Sequence, residues 1–356
     1  MAPGLAALLL VVSGSVWAGD PPSGRTQGEV LRSTPSVDLS HQFPDAACRS
    51  QAGTESCHAF GSIALLEAAL YRRYGAPGGV RIRLSEADLF VRKTVAGEGF
   101  YDEVRKAFKE NPFHPMMWSF DEAGKTYEDT EFAIEHGVAT AEVVPWDAFK
   151  KRFDDFREAK RKEAEAEMEK CRSEFSQAMT LPDAAARGRC VANFQKARVA
   201  ALDFLEEAAE KNAEEAEKHL LGEDKEVPKD REFIRKLIED FDPEEDRYDV
   251  PAIAERDDDS KCLKAGEDRR LQAKRLLDKK IPVVFGMNIA GLGEWGHGDA
   301  KSKARHYFVV TGYADGKDGL VFKSRNSWGG LNPEVRADRL CRVYAVVWLE
   351  TDLEDD

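Results

Sequence analysis

The sequence predicts an α+β fold: a helical first half, an antiparallel β second half, and a charged helical block between them. Three observations predict it. Phe60, Ile63, Leu66 and Leu70 recur at steps of three and four, which gathers them on one face of a helix over 57–74. About half of the positions from Lys150 to Val250 are charged, a composition the flanking segments do not share. Past Arg270 the texture turns apolar and β-branched at Ile281 to Phe285, Tyr307 to Thr311, Leu320 to Phe322 and Val343 to Trp348, which read as strands.

In chain order, residues 1–18 carry an apolar stretch from Leu5 to Val12 and end on Val16-Trp17-Ala18, small-residue spacing suited to signal-peptide cleavage before Gly19. Export to a secreted or periplasmic location is therefore expected, although Lys and Arg are missing ahead of the apolar stretch. Residues 19–35 are rich in Gly, Pro, Ser and Thr and read as a flexible leader, too short for a long inhibitory prosegment. No apolar run reaches the roughly 20 residues of a membrane-spanning helix, so no membrane association is expected once the signal is removed. The formal net charge of −14 argues against a nucleic-acid partner.

The helical half is expected over 36–147 and includes a short helix from Glu128 to His136 that Gly137 ends. The charged α-helical insertion is expected over 148–249. Runs such as Arg157 to Glu167 combine strong helix formers with opposite charges four residues apart, and Pro182, Gly222 and Pro228 interrupt them. Two long helices and a shorter third follow, the first from Lys150 to about Met179 and ~45 Å long. Such a block is a solvated spacer, a lid, or an arm for a protein partner. The β half, over 250–356, opens with an amphipathic helix from Leu271 to Lys280.

Of the six cysteines, Cys171 and Cys190 flank the turn signal Thr180-Leu181-Pro182-Asp183, so two antiparallel helices would bring them together as a disulfide. Spacing alone chooses no partner for Cys48, Cys262 or Cys341.

Cys57 stands at the start of the first helix, where the positive end of the helix dipole favours a thiolate. A thiolate nucleophile needs an imidazole as general base and acid, and that ring needs an orienting partner on its other nitrogen. His306 begins one strand and Asn326 ends the next, so a hairpin would set them side by side. Gln51, six residues before Cys57, carries an amide that can donate to an oxyanion, joined by the Cys57 N–H.

Gln51 to Phe60 resembles the Gln-x-x-x-x-x-Cys-Trp-Ala-Phe segment of papain-like cysteine peptidases. Leu84 to Leu89 resembles their Leu-Ser-Glu-x-x-Leu, Arg305 to Tyr313 their histidine strand, and Arg325 to Gly329 their Asn-Ser-Trp-Gly segment. Val37 to Leu39 resembles the mature N-terminal strand, and Ile281 to Met287 the strand entering the β half. The resemblance covers roughly 36–147 and 250–350 and implies a papain-like two-subdomain fold of a bacterial type, interrupted by the charged insertion. It implies Cys57 as nucleophile, His306 as general base and acid, Asn326 as its orienter and Gln51 as oxyanion donor. It further implies a substrate-binding Gly124 and a Trp328 lying over the His306–Asn326 contact. A polypeptide substrate and no cofactor are implied.

Departures accompany the match. His58 replaces the family's usual Trp and is expected to pack, since the residue after the nucleophile points away from it on the helix. Tyr307 stands where small residues are common and would narrow the pocket. A metal centre from Cys57, His58, His297 and His306 lacks paired ligand spacing, so no metal is expected. Two other functions fit the residues: an inactive peptidase-like scaffold whose helical block binds a protein, and an amidase or transpeptidase acting on cell-wall peptides.

Overall fold

The computed structural model describes residues 36–45, 49–51, 54, 56–75, 81–95, 109, 124–180, 184–221, 225–250, 259–289, 292, 305–316, 319–328 and 332–351, all within the unit Ser33–Asp356. The signal segment, the leader, Cys48, His297 and the side chains of Cys171 and Cys190 lie outside the described residues, and with them the expected Cys171–Cys190 pair.

Among the described residues, seven strands form one antiparallel sheet: β1 Val37–Asp38, β2 Asp242–Arg247, β3 Val283–Asn288, β4 Arg305–Gly316, β5 Gly319–Arg325, β6 Val335–Arg336 and β7 Val343–Glu350. Their order is β2-β7-β3-β4-β5-β6, with β1 added to β4. Side chains alternate across such a sheet, and here each face enters a different core. Val284, Tyr307, Val309, Val347 and Leu349 pack with the helical half, whereas Val283, Phe285, Phe308, Val310 and Val346 pack beneath a helix carrying Ala273, Leu276 and Leu277.

The α-helices among the described residues are α1 Cys57–Tyr74, α2 Glu86–Phe90, α3 Thr126–His136, α4 Trp146–Thr180, α5 Ala184–Ala216, α6 Glu226–Ile238, α7 Asp259–Ala265 and α8 Glu267–Asp278. The fold is thus α+β. Every residue of α1 from Cys57 to Leu70 is buried, so α1 is an interior helix between the sheet and the other helices. Ser85 caps α2 by accepting the Asp88 N–H at 3.1 Å, and its own hydroxyl donates to the Val144 carbonyl at 2.6 Å. Gly137 ends α3 with φ of 70°, and a side chain there would strike the Arg231 carbonyl of α6.

At 1.5 Å per residue, α4 and α5 are each about 50 Å long. Among the described residues of the pair, Phe149, Phe153 and Phe156 of α4 and Phe194, Ala201 and Ala216 of α5 are buried, and Phe153 meets Phe90 at 5.6 Å. Arg231 of α6 binds Asp88 of α2 at 2.5 Å and Glu217 at 2.7 Å, a partly buried tie between the block and the helical half.

One observation departs from the sequence reading, and another fills a gap that reading left open. Asp242–Arg247, expected within the helical insertion, is instead the edge strand β2, paired with β7 from Asp242↔Glu350 to Arg247↔Ala345. Its side chains are exposed or half-buried, so backbone pairing to an apolar neighbour forms the strand without any β-like composition. Pro243 and the run of charges suit an edge. Cys262 of α7 and Cys341, in the turn before β7, form a buried disulfide.

Candidate active site

Cys57 opens α1 directly after a turn in which the Thr54 and Ser56 hydroxyls are 2.5 Å apart. Its sulfur is a thiol, not half of a cystine, and the residue is 9% exposed. Amide N–H groups at a helix start have no intrahelical acceptor, so partial positive charge faces this end.

His306 is the second residue of β4 and Asn326 follows β5 directly, so the β4–β5 hairpin brings them together. The His306 Nε2–H donates to Asn326 Oδ1 at 2.6 Å, in a site where the two residues are 3% and 2% exposed. This bond assigns the other nitrogen, Nδ1, to face away from the asparagine. Asn326 is itself held: its Oδ1 also accepts the Ser327 N–H at 2.8 Å, and its backbone N–H donates to Asn332 Oδ1 at 2.9 Å. The Trp328 ring stacks on the imidazole with centroids 4.3 Å apart and planes 24° apart. An aromatic cover keeps water from competing for the bond.

Gln51 joins the lead-in of α1 to this loop. Its backbone N–H donates to the Ser327 carbonyl at 2.8 Å, its Oε1 accepts the Ser327 hydroxyl, and its Nε2 donates to the Thr54 carbonyl. Ser50 and Trp328 form a β-bridge alongside. An amide nitrogen carries two hydrogens, so one Gln51 N–H remains beyond the Thr54 bond.

Tyr307 lies on the sheet face that packs against α1, with its ring edge-to-face with Tyr344 at 5.9 Å. Burial pushes both hydroxyls up, that of Tyr344 to about 12, and the charge of the Cys57 sulfur adds to the push on each. The two rings fill space on the Cys57 face that smaller residues would leave open.

Gly124 sits at the other side of the first turn of α1, with its backbone against the His58 ring. His58 is buried as packing would require, but it is also paired: its Nδ1–H donates to Asp129 Oδ2 at 2.5 Å. Neither this pair nor the Ser327 hydroxyl on Gln51 is foreseen by the sequence reading. Ser327 lies inside the quoted Asn-Ser-Trp-Gly segment, so that segment could have signalled it; Asp129, 71 positions from His58, carries no local signal.

No protein-family model matches the chain, and no curated protein matches it. Among solved structures it is similar to PepW from Lactobacillus rhamnosis HN001, with 14% identity and a TM-score of 0.50 over 88% of this chain and 81% of that one. The proform of the ragweed pollen allergen Amb a 11, a cysteine protease, has 14% identity and a TM-score of 0.39 over 92% and 62%. A recombinant stem bromelain precursor has 12% identity and a TM-score of 0.38 over 94% and 76%. The chain has the α+β papain-like fold.

Proposed function

We propose that this chain is an exported papain-like cysteine peptidase that hydrolyses peptide bonds through Cys57, His306 and Asn326, with Gln51 as oxyanion donor. The observation that carries the reading is the buried His306 Nε2–H···Oδ1 Asn326 bond beneath Trp328, tied through Ser327 and Gln51 to the turn that presents Cys57. An orienting amide fixes one ring nitrogen and leaves Nδ1 for a thiol, without a carboxylate charge that would compete with the thiolate.

In this mechanism the Cys57 thiolate adds to the peptide carbonyl while His306 is protonated. The resulting oxyanion accepts hydrogen bonds from the remaining Gln51 N–H and the Cys57 backbone N–H. The C–N bond then breaks as the imidazolium gives its proton to the leaving amine, and a thioester remains on Cys57. Water, deprotonated by His306, attacks the thioester, the C–S bond breaks, and the acid product leaves, with the Cys57 thiolate and protonated His306 restored. Trp328 acts through the ring it covers. The Cys262–Cys341 disulfide supports export, since such bonds persist in oxidising compartments. Among the described residues no helix is long and apolar enough to cross a membrane.

Mass analysis of a peptide library incubated with the full chain tests the reading. New carboxyl and amino termini that are absent with Cys57→Ser are expected. An intact library after incubation with folded protein overturns it.

A further inference from the structure

We infer that His58 and Asp129 are positioning residues for the segment Gly124–Thr126, whose Gly124 the papain-like resemblance implies in substrate binding; the inference rests on the peptidase reading. The pair joins the first turn of α1 to the first turn of α3 through the 2.5 Å bond between His58 Nδ1 and Asp129 Oδ2, and each residue is 1% exposed. Three further bonds converge on the same turn. Thr126 Oγ1 donates to the His58 carbonyl at 3.3 Å, and the Ser62 hydroxyl lies within hydrogen-bond distance of the His58 carbonyl at 3.0 Å and the Thr126 carbonyl at 2.9 Å. Asp129 is set by its backbone N–H, which donates to the Lys125 carbonyl at 3.0 Å.

Packing alone does not require this chemistry. A phenyl ring would fill nearly the same volume, whereas a buried ion pair or polar pair is weak evidence for stability because desolvation offsets its attraction. What the imidazole adds is direction. Its plane is turned by Asp129 so that the Gly124 backbone rests directly on it, and a Cβ at 124 would collide with Nδ1, Cε1 and Cγ of the ring. Lys125, next in line, is extended with φ of −123° and ψ of 126°. An extended backbone held beside the nucleophile's own helical turn is suited to receive an extended peptide by main-chain hydrogen bonds. The pair touches none of the reacting atoms; it acts through the segment it holds.

The test compares two substrates, an extended peptide amide that reaches Gly124 and a single-residue acyl ester that does not. The double variant His58→Phe/Asp129→Leu removes both polar partners and keeps an apolar pair of similar shape, which protects the fold. It is expected to raise KM for the extended peptide by about tenfold, to change kcat by less than about twofold, and to leave the ester kinetics unaltered. His58→Asn, whose amide nitrogen can stand at the place of Nδ1, is expected to restore KM to within about threefold of wild type. Equal KM on the peptide for wild type and the double variant, or equal losses on both substrates, overturns the inference while leaving the peptidase reading intact. A wild-type chain that turns over neither substrate overturns that reading, and the inference with it.

Discussion

The Ser327 hydroxyl donates to Gln51 Oε1 although 276 positions separate them. That bond is where the two halves of the site meet. Gln51 belongs to the turn leading into α1 and Cys57, while Ser327 is the next residue after Asn326, whose Oδ1 holds His306. With its oxygen engaged by Ser327, the Gln51 amide turns its nitrogen to the Thr54 carbonyl, three residues before Cys57. Gln51→Ala is accordingly expected to lower kcat on peptide amides by about 10²–10³-fold with little change in KM. Ser327→Ala should produce a smaller loss of the same kind, because it removes the orientation and not the donor. Steady-state kinetics on one peptide substrate checks both.

Asn326→Ala removes the acceptor for His306 Nε2 and leaves that nitrogen buried beneath Trp328. A loss of about 10²-fold in kcat/KM is expected, the scale of a general acid–base contribution. Trp328→Ala, which opens the same bond to water, should give a partial loss. Variants whose kcat/KM matches wild type would contradict the orienting role of Asn326 and the covering role of Trp328.

Much of this geometry was legible in the sequence, and the reason is local. The periodicity over 57–74, the β-branched runs and the Asn-Ser-Trp-Gly segment each encode an element within a few residues, and the β4–β5 hairpin then needs only adjacency to pair His306 with Asn326. What could not be read was set by distant partners. Asp242–Arg247 has the composition of a solvated surface and becomes a strand because β7 offers it a free edge. Cys262 and Cys341 are 79 positions apart with nothing between them to favour that pairing over others. His58 carries no mark of the carboxylate that pairs with it.

The Cys262–Cys341 bridge fastens α7 to the turn that starts β7, the strand between β2 and β3. Cys262→Ala/Cys341→Ala is expected to lower stability by about 2–4 kcal/mol in urea unfolding. Wild type under reducing conditions should show a comparable loss, and the double variant should be insensitive to reductant.

Glu67 of α1 and Glu86 of α2 share a single guanidinium, Arg49, which meets Glu67 at 2.7 Å and also binds Glu86. Burial, reinforced by the Glu86 charge, raises the Glu67 carboxyl to about 7 despite Arg49. A carboxyl raised on folding favours the folded state fully below its unfolded pKa of about 4.5, and that contribution is lost as pH rises through the folded value. The Glu67-linked part of the stability should therefore fall between about pH 4.5 and 7 and level off above. Urea midpoints for wild type and Glu67→Gln across this window check it: the difference between the two curves should carry the slope, and parallel curves would contradict it.

The most direct measurement is reaction of the full chain with an epoxide that traps activated thiols, followed by mass analysis of the labelled peptide. The account predicts stoichiometric labelling at Cys57 in wild type and its loss in a folded His306→Ala variant. A folded wild-type chain that stays unlabelled at Cys57, or one labelled equally well without His306, contradicts it.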